Sequence, residues 1–374
     1  IIGGGPAGLI NALSLLSLGA PAASVSVHEK RGAPSRDIWF DVASASVNSL
    51  VAGHDSLAFL LSLGLLPGGH DLFDLRAADH PDVDGRGGRI LTLPCAALEA
   101  FLAMCLELLG ARVSRADPAR PEDPLPPGTL LIVATGTAPP PFDIPSLPPP
   151  SVHTPSKDWA PPSPHATLIV TLPPLPSGAC PPHHDVDPYA VGFDLFGGHG
   201  VTSAFKRFFH GHCELQIFFA LGAPPAGEAA IDAVLSQILS PPSPKPSYTH
   251  RRFEVLPRRL ERVAGSVGGG SDFIVVGDAA LSAHYRLGIG VNLAVMAAEA
   301  LLPALVAGGA GIAAYEREAS AVYERAELAM ARFIKLESEC NLVLFEDEAF
   351  RRDFETRTYE FIEEEDIERW CLSY

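Results

Sequence analysis

Three glycines in the spacing Gly3-x-Gly5-x-x-Gly8 follow directly on Ile1-Ile2, and Leu9, Ile10, Leu13 and Leu16 continue at helical spacing to Gly19. The pattern predicts a buried strand, a tight turn and a helix, then a second strand over Ala23 to His28 that ends at Glu29. Gly3 allows the turn, Gly5 lets backbone N–H groups approach a pyrophosphate with no Cβ in the way, and Gly8 lets the helix lie close to the strand. Pro6 and Ala7 complete the turn, and phosphates placed there meet the positive end of the helix dipole. Glu29 lies 21 residues after Gly8, where a carboxylate accepts hydrogen bonds from both ribose hydroxyls of an adenosine, with Lys30 beside it. Strand, turn, helix, second strand and terminal acid together specify a dinucleotide site.

A second constellation lies far along the chain. Residues 271–299 read SDFIVVGDAALSAHYRLGIGVNLAVMAAE. A buried strand, Phe273 to Val276, ends in Gly277-Asp278, and Gly288-x-Gly290-x-Asn292 opens a long apolar helix around Val291. An Asp at a strand end accepts from a sugar-alcohol hydroxyl, while Gly277 keeps the backbone clear. Gly288 and Gly290 let a helix N-terminus face a flat ring edge with free N–H groups, which stabilises negative charge there.

With GGGPAG, Glu29 and the G-D-A-A…G-x-G-x-N run at 277–292 in this order, the chain resembles the single-component FAD-dependent monooxygenases of the para-hydroxybenzoate hydroxylase type (class A). Weaker matches are Arg36, seven residues after Glu29 and near the cofactor phosphates in that family, the LSLGL run at Leu61 to Leu65, the strand and helix leading from Ile90 to Val113, the buried strand LLIVATG at Leu130 to Gly136, and AYERE at 314–318. The resemblance covers about 1–137 and 250–335. Three departures stand out. Thr135-Gly136 replaces the usual Asp-Gly pair, which bears on flavin mobility and NADPH handling. Leu281 and Tyr285 take the usual histidine and proline positions in the wall beside the ring. Cys95 stands where relatives often carry a polar cofactor contact.

The resemblance implies an α/β protein: a Rossmann-like FAD-binding domain of the GR2 type in three layers, an antiparallel β-sheet substrate domain and a helical C-terminal segment. The expected boundaries are 1–137 with 250–308 for the FAD domain, 138–249 for the proline-rich insertion and sheet, and 309–374 for the helical segment. It further implies FAD as cofactor, NAD(P)H as transient reductant, O₂ as co-substrate and a small-molecule substrate under the sheet, in a reaction whose chemistry belongs to the cofactor. His284, Tyr285 and Arg286 are the ring-side candidates. Arg286 would orient an anionic substrate or the nicotinamide phosphates, or form a salt bridge; His284 alone also suits a hydrogen-bonded loop. Trp39 and Phe40 fit the flavin face or the core. His199, His210 and His212 fall on the expected sheet. His183-His184 with Asp185 on a proline-flanked loop lacks the geometry of a metal site, and none is expected.

Composition narrows the alternatives. The chain has 374 residues, 27 Lys plus Arg against 44 Asp plus Glu, and a net charge of −17, which disfavours nucleic acid and anionic membranes as partners. Hydrophobic residues at 47% and charged residues at 19% specify a globular core rather than disorder. Six scattered cysteines without a CxxC pair predict a reducing compartment such as the cytoplasm, and the absence of CxxxxC after the first helix excludes the disulfide reductases. The three tryptophans do not form the motif of flavin halogenases. Ile1 falls inside a strand, so an upstream segment is expected. Neither the glycine-broken first stretch nor Ala300 to Ala314 suits a membrane span, and the chain reads as soluble.

Residues 139–182 hold 16 of the 36 prolines and predict extended loop, interrupted by one strand at Ala166 to Leu172. Beyond it, alternation predicts strands at Tyr189 to Phe196, Val201 to Phe209 and His212 to Leu221, then a helix at Glu228 to Leu239. Helix is expected from Asn292 through Glu337, and an acidic tail at Glu360 to Glu368. The proline-rich loop and the tail are the two places where a protein partner could dock. Two other classes compete with the monooxygenase: a non-catalytic scaffold that kept the fold, and a flavoenzyme of related fold without oxygen insertion.

Overall fold

The computed structural model describes residues 1–34, 39–43, 90–116, 125–136, 165–173, 187–191, 201–209, 212–219, 227–238, 247–256, 258–268, 270–282, 290, 294, 298 and 311–339. These fall into two compact units.

The first unit is built on a sheet whose centre is the chain start. Ile2 bridges in parallel to His28 on one side and to Val133 on the other. His28 belongs to β1 (Ser26–Glu29), which pairs in parallel with β4 (Arg112–Arg115); Val133 ends β5 (Leu130–Val133), which pairs in parallel with β13 (Ser271–Val275). An antiparallel strand, β12 (Ala264–Gly268), closes the edge. The buried runs Leu131 to Ala134 and Phe273 to Val276 are apolar almost without alternation, as strands covered on both faces require.

Helix α1 (Pro6–Ser17) and helix α2 (Cys95–Leu108) pack against each other. Pro6 at the first helical position fits because its missing N–H would have no acceptor there, and Leu9, Ile10 and Leu13 are fully buried. Strand β2 (Trp39–Ala43) pairs antiparallel with β3 (Ile90–Pro94), and β11 (Arg258–Arg259) with β14 (Leu281–Ser282). Of the long helix α4 (Gly311–Glu339), the part up to Leu328 belongs to this unit and buries Tyr315, Ala319, Tyr323 and Ala326, a stripe at helical spacing.

The second unit is a five-stranded antiparallel sheet in the order β10 (Thr249–Val255), β6 (His165–Leu172), β9 (His212–Phe219), β8 (Val201–Phe209) and β7 (Asp187–Val191). Ala166, Leu168, Val170 and Leu172 point to one face and pack with Leu215, Ile217 and Phe219 against Ile231, Val234 and Leu235 of helix α3 (Glu228–Ile238). Each Val, Leu, Ile or Phe side chain among them contributes about 1.5–3 kcal/mol when removed from water.

Two expectations change. The boundary expected at 250 falls inside β10, whose residues pair with β6 throughout; the first unit resumes at Arg258. The strand expected from Ala23 begins only at Ser26, because Ser24 Oγ and Ser24 N–H both donate to the Pro21 carbonyl and close a 3₁₀ turn over Ala22–Ser24. Most of the proline-rich stretch, His183-His184, His199, His210 and the acidic tail lie outside the described residues. Among the described residues, no helix is long and apolar enough to cross a membrane, and no three His, Cys, Asp or Glu side chains could hold a metal ion.

Candidate dinucleotide site

The central segment sets the site. Gly3 N–H donates to the His28 carbonyl at 2.9 Å, Ile2 N–H to Ile132 at 2.8 Å, and Ala134 N–H to Ile2 at 2.7 Å. The turn after Ile2 therefore stands at the carboxyl end of a strand that has β1 on one side and β5 on the other, the point at which an open sheet leaves a crevice. Gly3 has φ +105°, and a Cβ there would overlap the Ala134 carbonyl; a Cβ on Gly8 would overlap the Gly3 carbonyl. Gly5 is the N-cap of α1 in extended conformation, and the first-turn N–H groups of Ala7 and Gly8 have no acceptor within the helix. Thr135 is half-buried after β5, and Gly136 takes φ +70°, which an Asp-Gly or a Thr-Gly pair satisfies equally.

The second glycine cluster comes to the same place. After β13 the chain turns through a 3₁₀ segment, Gly277–Ala279, held by Val276 N–H to the Val133 carbonyl at 3.0 Å. Gly277 has φ +62°, and a Cβ on it would lie 2.5 Å from the Ala7 Cβ in the first turn of α1. Gly290 is helical, and its Cβ position lies 3.5 Å from Asp278 Oδ1. Gly3 to Gly8, Gly277-Asp278 and Gly290 thus converge although they are separated by up to 287 residues of chain (290 − 3). Arg36, His284, Tyr285, Arg286, Gly288, Val291 and Asn292 lie outside the described residues.

Glu29 is buried at the end of β1 and is already engaged. Gly4 N–H donates to its Oε2 at 2.7 Å; Arg31 N–H and Arg31 Nε donate to Oε1 at 2.8 and 3.0 Å; Arg31 Nη2 reaches Oε2 at 3.2 Å. Burial alone would raise its pKa, but the Arg31 fork and the two backbone donors outweigh it and hold the carboxyl below the usual range. Lys30 is exposed. Arg31 Nη2 also lies 3.2 Å from Oε1 of Glu99, a carboxylate on α2 with no exposure at all, and Cys95 Sγ lies 3.8 Å from the same oxygen. Cys95 is buried and faces this network. Sequence reasoning missed Arg31 and Glu99. The available signal was a single acid one turn into a helix, CAALEAFLAMCLEL, that is otherwise apolar up to Glu107.

Behind the second turn, the Tyr323 phenol is buried beside the Gly277 backbone N–H, which is the nearest donor but does not meet it in good hydrogen-bond geometry. Burial pushes its pKa well up, so it stays neutral. Tyr323→Phe removes a hydroxyl whose desolvation is offset only weakly, by the Gly277 backbone. The variant's unfolding free energy is expected to stay level or rise by up to about 1 kcal/mol, read by calorimetry or denaturant titration; a loss of more than that would mean the hydroxyl is holding Gly277 in place.

No family model and no curated protein sequence matches the chain. Solved structures do. The chain is similar to pqsL, described as a probable FAD-dependent monooxygenase from Pseudomonas aeruginosa (TM-score 0.58, 16% identity, 96% of this chain and 98% of that one). It is similar to a 2-methyl-3-hydroxypyridine-5-carboxylic acid oxygenase (TM-score 0.55, 18% identity, 98% and 96%). It is also similar to the Diels-Alderase PyrE3 of pyrroindomycin biosynthesis (TM-score 0.61, 19% identity, 97% and 78%). At these identities the likeness is one of fold: the chain shares the mixed α/β fold of these structures.

Proposed function

We propose that the chain is an FAD-dependent oxidoreductase, and specifically an NAD(P)H- and O₂-dependent monooxygenase acting on a small-molecule substrate. The single observation that supports this most is the seating of Gly277 on Ala7, which brings two turns distant in sequence together at the carboxyl end of the central strand. Cβ atoms at Gly3, Gly8 and Gly277 would strike the Ala134 carbonyl, the Gly3 carbonyl and Ala7, so glycine at these positions is what lets the two turns close on each other, as a cofactor reaching both would need. In this reading the domain is of the three-layer GR2 type. Gly3, Gly5, Pro6, Ala7 and Gly8 would hold the pyrophosphate, with Arg36 near it, and Glu29 and Lys30 the adenosine ribose. Thr135 and Gly136 would border the crevice, Gly277 and Asp278 would bind the ribityl chain, and Gly288, Gly290, Val291 and Asn292 would present helix N–H groups to the ring. His284, Tyr285 and Arg286 would flank the reacting face.

When bound, FAD would supply the electron transfer and oxygen chemistry. The chain's own residues supply binding, orientation and exclusion of water. The test is FAD-loaded protein supplied with NADH or NADPH in air. Reductant oxidation coupled to O₂ consumption, accelerated by a substrate that gains one oxygen, supports the reading. Bound flavin that neither nicotinamide reduces overturns the monooxygenase assignment.

A second reading has its own support. The Diels-Alderase neighbour has this fold under a name that denotes a non-oxidative reaction. A flavin-fold protein without oxygen insertion, or without turnover, would bind FAD and leave O₂ consumption at the rate of free flavin.

A further inference from the structure

The Glu29 carboxylate has about four lone-pair positions, and four donors occupy them: Gly4 N–H, Arg31 N–H, Arg31 Nε and Arg31 Nη2. A ribose presenting two hydroxyls needs acceptor positions on the same two oxygens. The backbone donors are fixed by the turn and by the end of β1. The side-chain donors can leave, since the Arg31 guanidinium is carried on a flexible stem and its side chain is 23% exposed.

A guanidinium that leaves one carboxylate needs another acceptor, and one is already in reach. Glu99 Oε1 lies 3.2 Å from Arg31 Nη2, and the Glu99 side chain is fully buried on α2, so it cannot follow the arginine outward. A buried carboxylate holds a nearby cation in place. Resting on the dinucleotide reading above, we propose that Arg31 is shared between Glu29 and Glu99 and thereby sets the affinity of the adenosine-ribose subsite. The ribose diol displaces the Arg31 fork from Glu29, and Glu99 receives it. Arg31 acts here as a competitor of the ligand, and Glu99 as the positioning residue that makes its release affordable.

The two residues therefore have opposite signatures. Calorimetric titration of flavin-free protein with ADP, and in parallel with 2′,3′-dideoxy-ADP, separates them from a general structural role. Arg31→Met is expected to tighten ADP binding about fivefold, and Glu99→Gln to weaken it about fivefold, with dideoxy-ADP nearly unchanged in both. Arg31→Met/Glu99→Leu leaves neither charge of the Arg31–Glu99 contact in place, and is expected to match Arg31→Met; it carries the test if the single variant does not fold. Weaker ADP binding in Arg31→Met, or equal shifts for both nucleotides, overturns the proposal. Wild-type protein that binds ADP and dideoxy-ADP equally overturns it too and leaves the dinucleotide reading standing. Wild-type protein that binds neither ADP nor FAD overturns both.

Discussion

Gly8→Ala is expected to destabilise the protein by about 3 kcal/mol or more and to weaken FAD binding at least tenfold. The added Cβ would overlap the Gly3 carbonyl and lie 3.1 Å from the Gly3 carbonyl carbon and 3.2 Å from the Ala134 Cβ. Backbone cannot yield as the end of a flexible side chain does, so α1 must lift from the strand carrying Ile2 and from β5. Lifting it exposes part of the interface made by Leu9, Ile10 and Leu13 and misplaces the first-turn N–H groups. Gly19→Ala is the control. Gly8 is helical, whereas Gly19 has a left-handed φ, +93°, with nothing within 4 Å of a Cβ, so Ala at 19 adds only backbone strain of about 1–2 kcal/mol. Thermal unfolding of both variants beside FAD titration checks this. Equal losses would mean that the Gly3 carbonyl and α1 move apart at little cost, and that the close packing of α1 on the central strand is not what requires glycine at position 8.

The second large effect lies away from the turns. Arg259 on β11 donates from Nε to Glu327 Oε2 on α4 at 2.7 Å, with the side chains 8% and 10% exposed. Removing one member of such a pair leaves a charge in a low-dielectric site, which costs about 3–5 kcal/mol. Glu327→Leu is expected to fall in that range by urea titration. Arg259→Met/Glu327→Leu, which removes both charges and keeps the volume, is expected to recover most of the loss. A double variant as unstable as the single one would show that the pair contributes more than it costs to bury. Because β11 pairs with β14 directly after the Gly277-Asp278 turn, the single variant should also loosen the turn and lower FAD affinity.

The glycine turns were legible because backbone geometry leaves a residue-type signature: at Gly3 and Gly277 a left-handed φ coincides with a close approach, and only glycine meets both conditions. Strand β9 was legible from alternation and α3 from its apolar spacing, since each has one face that must be covered. What escaped were contacts between groups that no local rule joins. Glu29 reads as an open acceptor until Arg31 and the distant Glu99 are placed around it. Arg259 and Glu327 are 68 residues apart, and each looks like an ordinary surface charge in its own run. The edge position of β10 is likewise a matter of pairing: its polar, half-exposed residues carry no mark of the sheet they complete.

The central claim is that two sequence-distant turns bind the two ends of one ligand. Fluorescence and calorimetric titration of flavin-free protein with FAD, ADP and FMN measures this directly. If both turns act on one molecule, FAD should bind at one per chain and at least about a hundredfold tighter than either half, because the second contact is made at a high effective concentration. FAD that binds no more tightly than ADP alone, or not at all, would contradict the account.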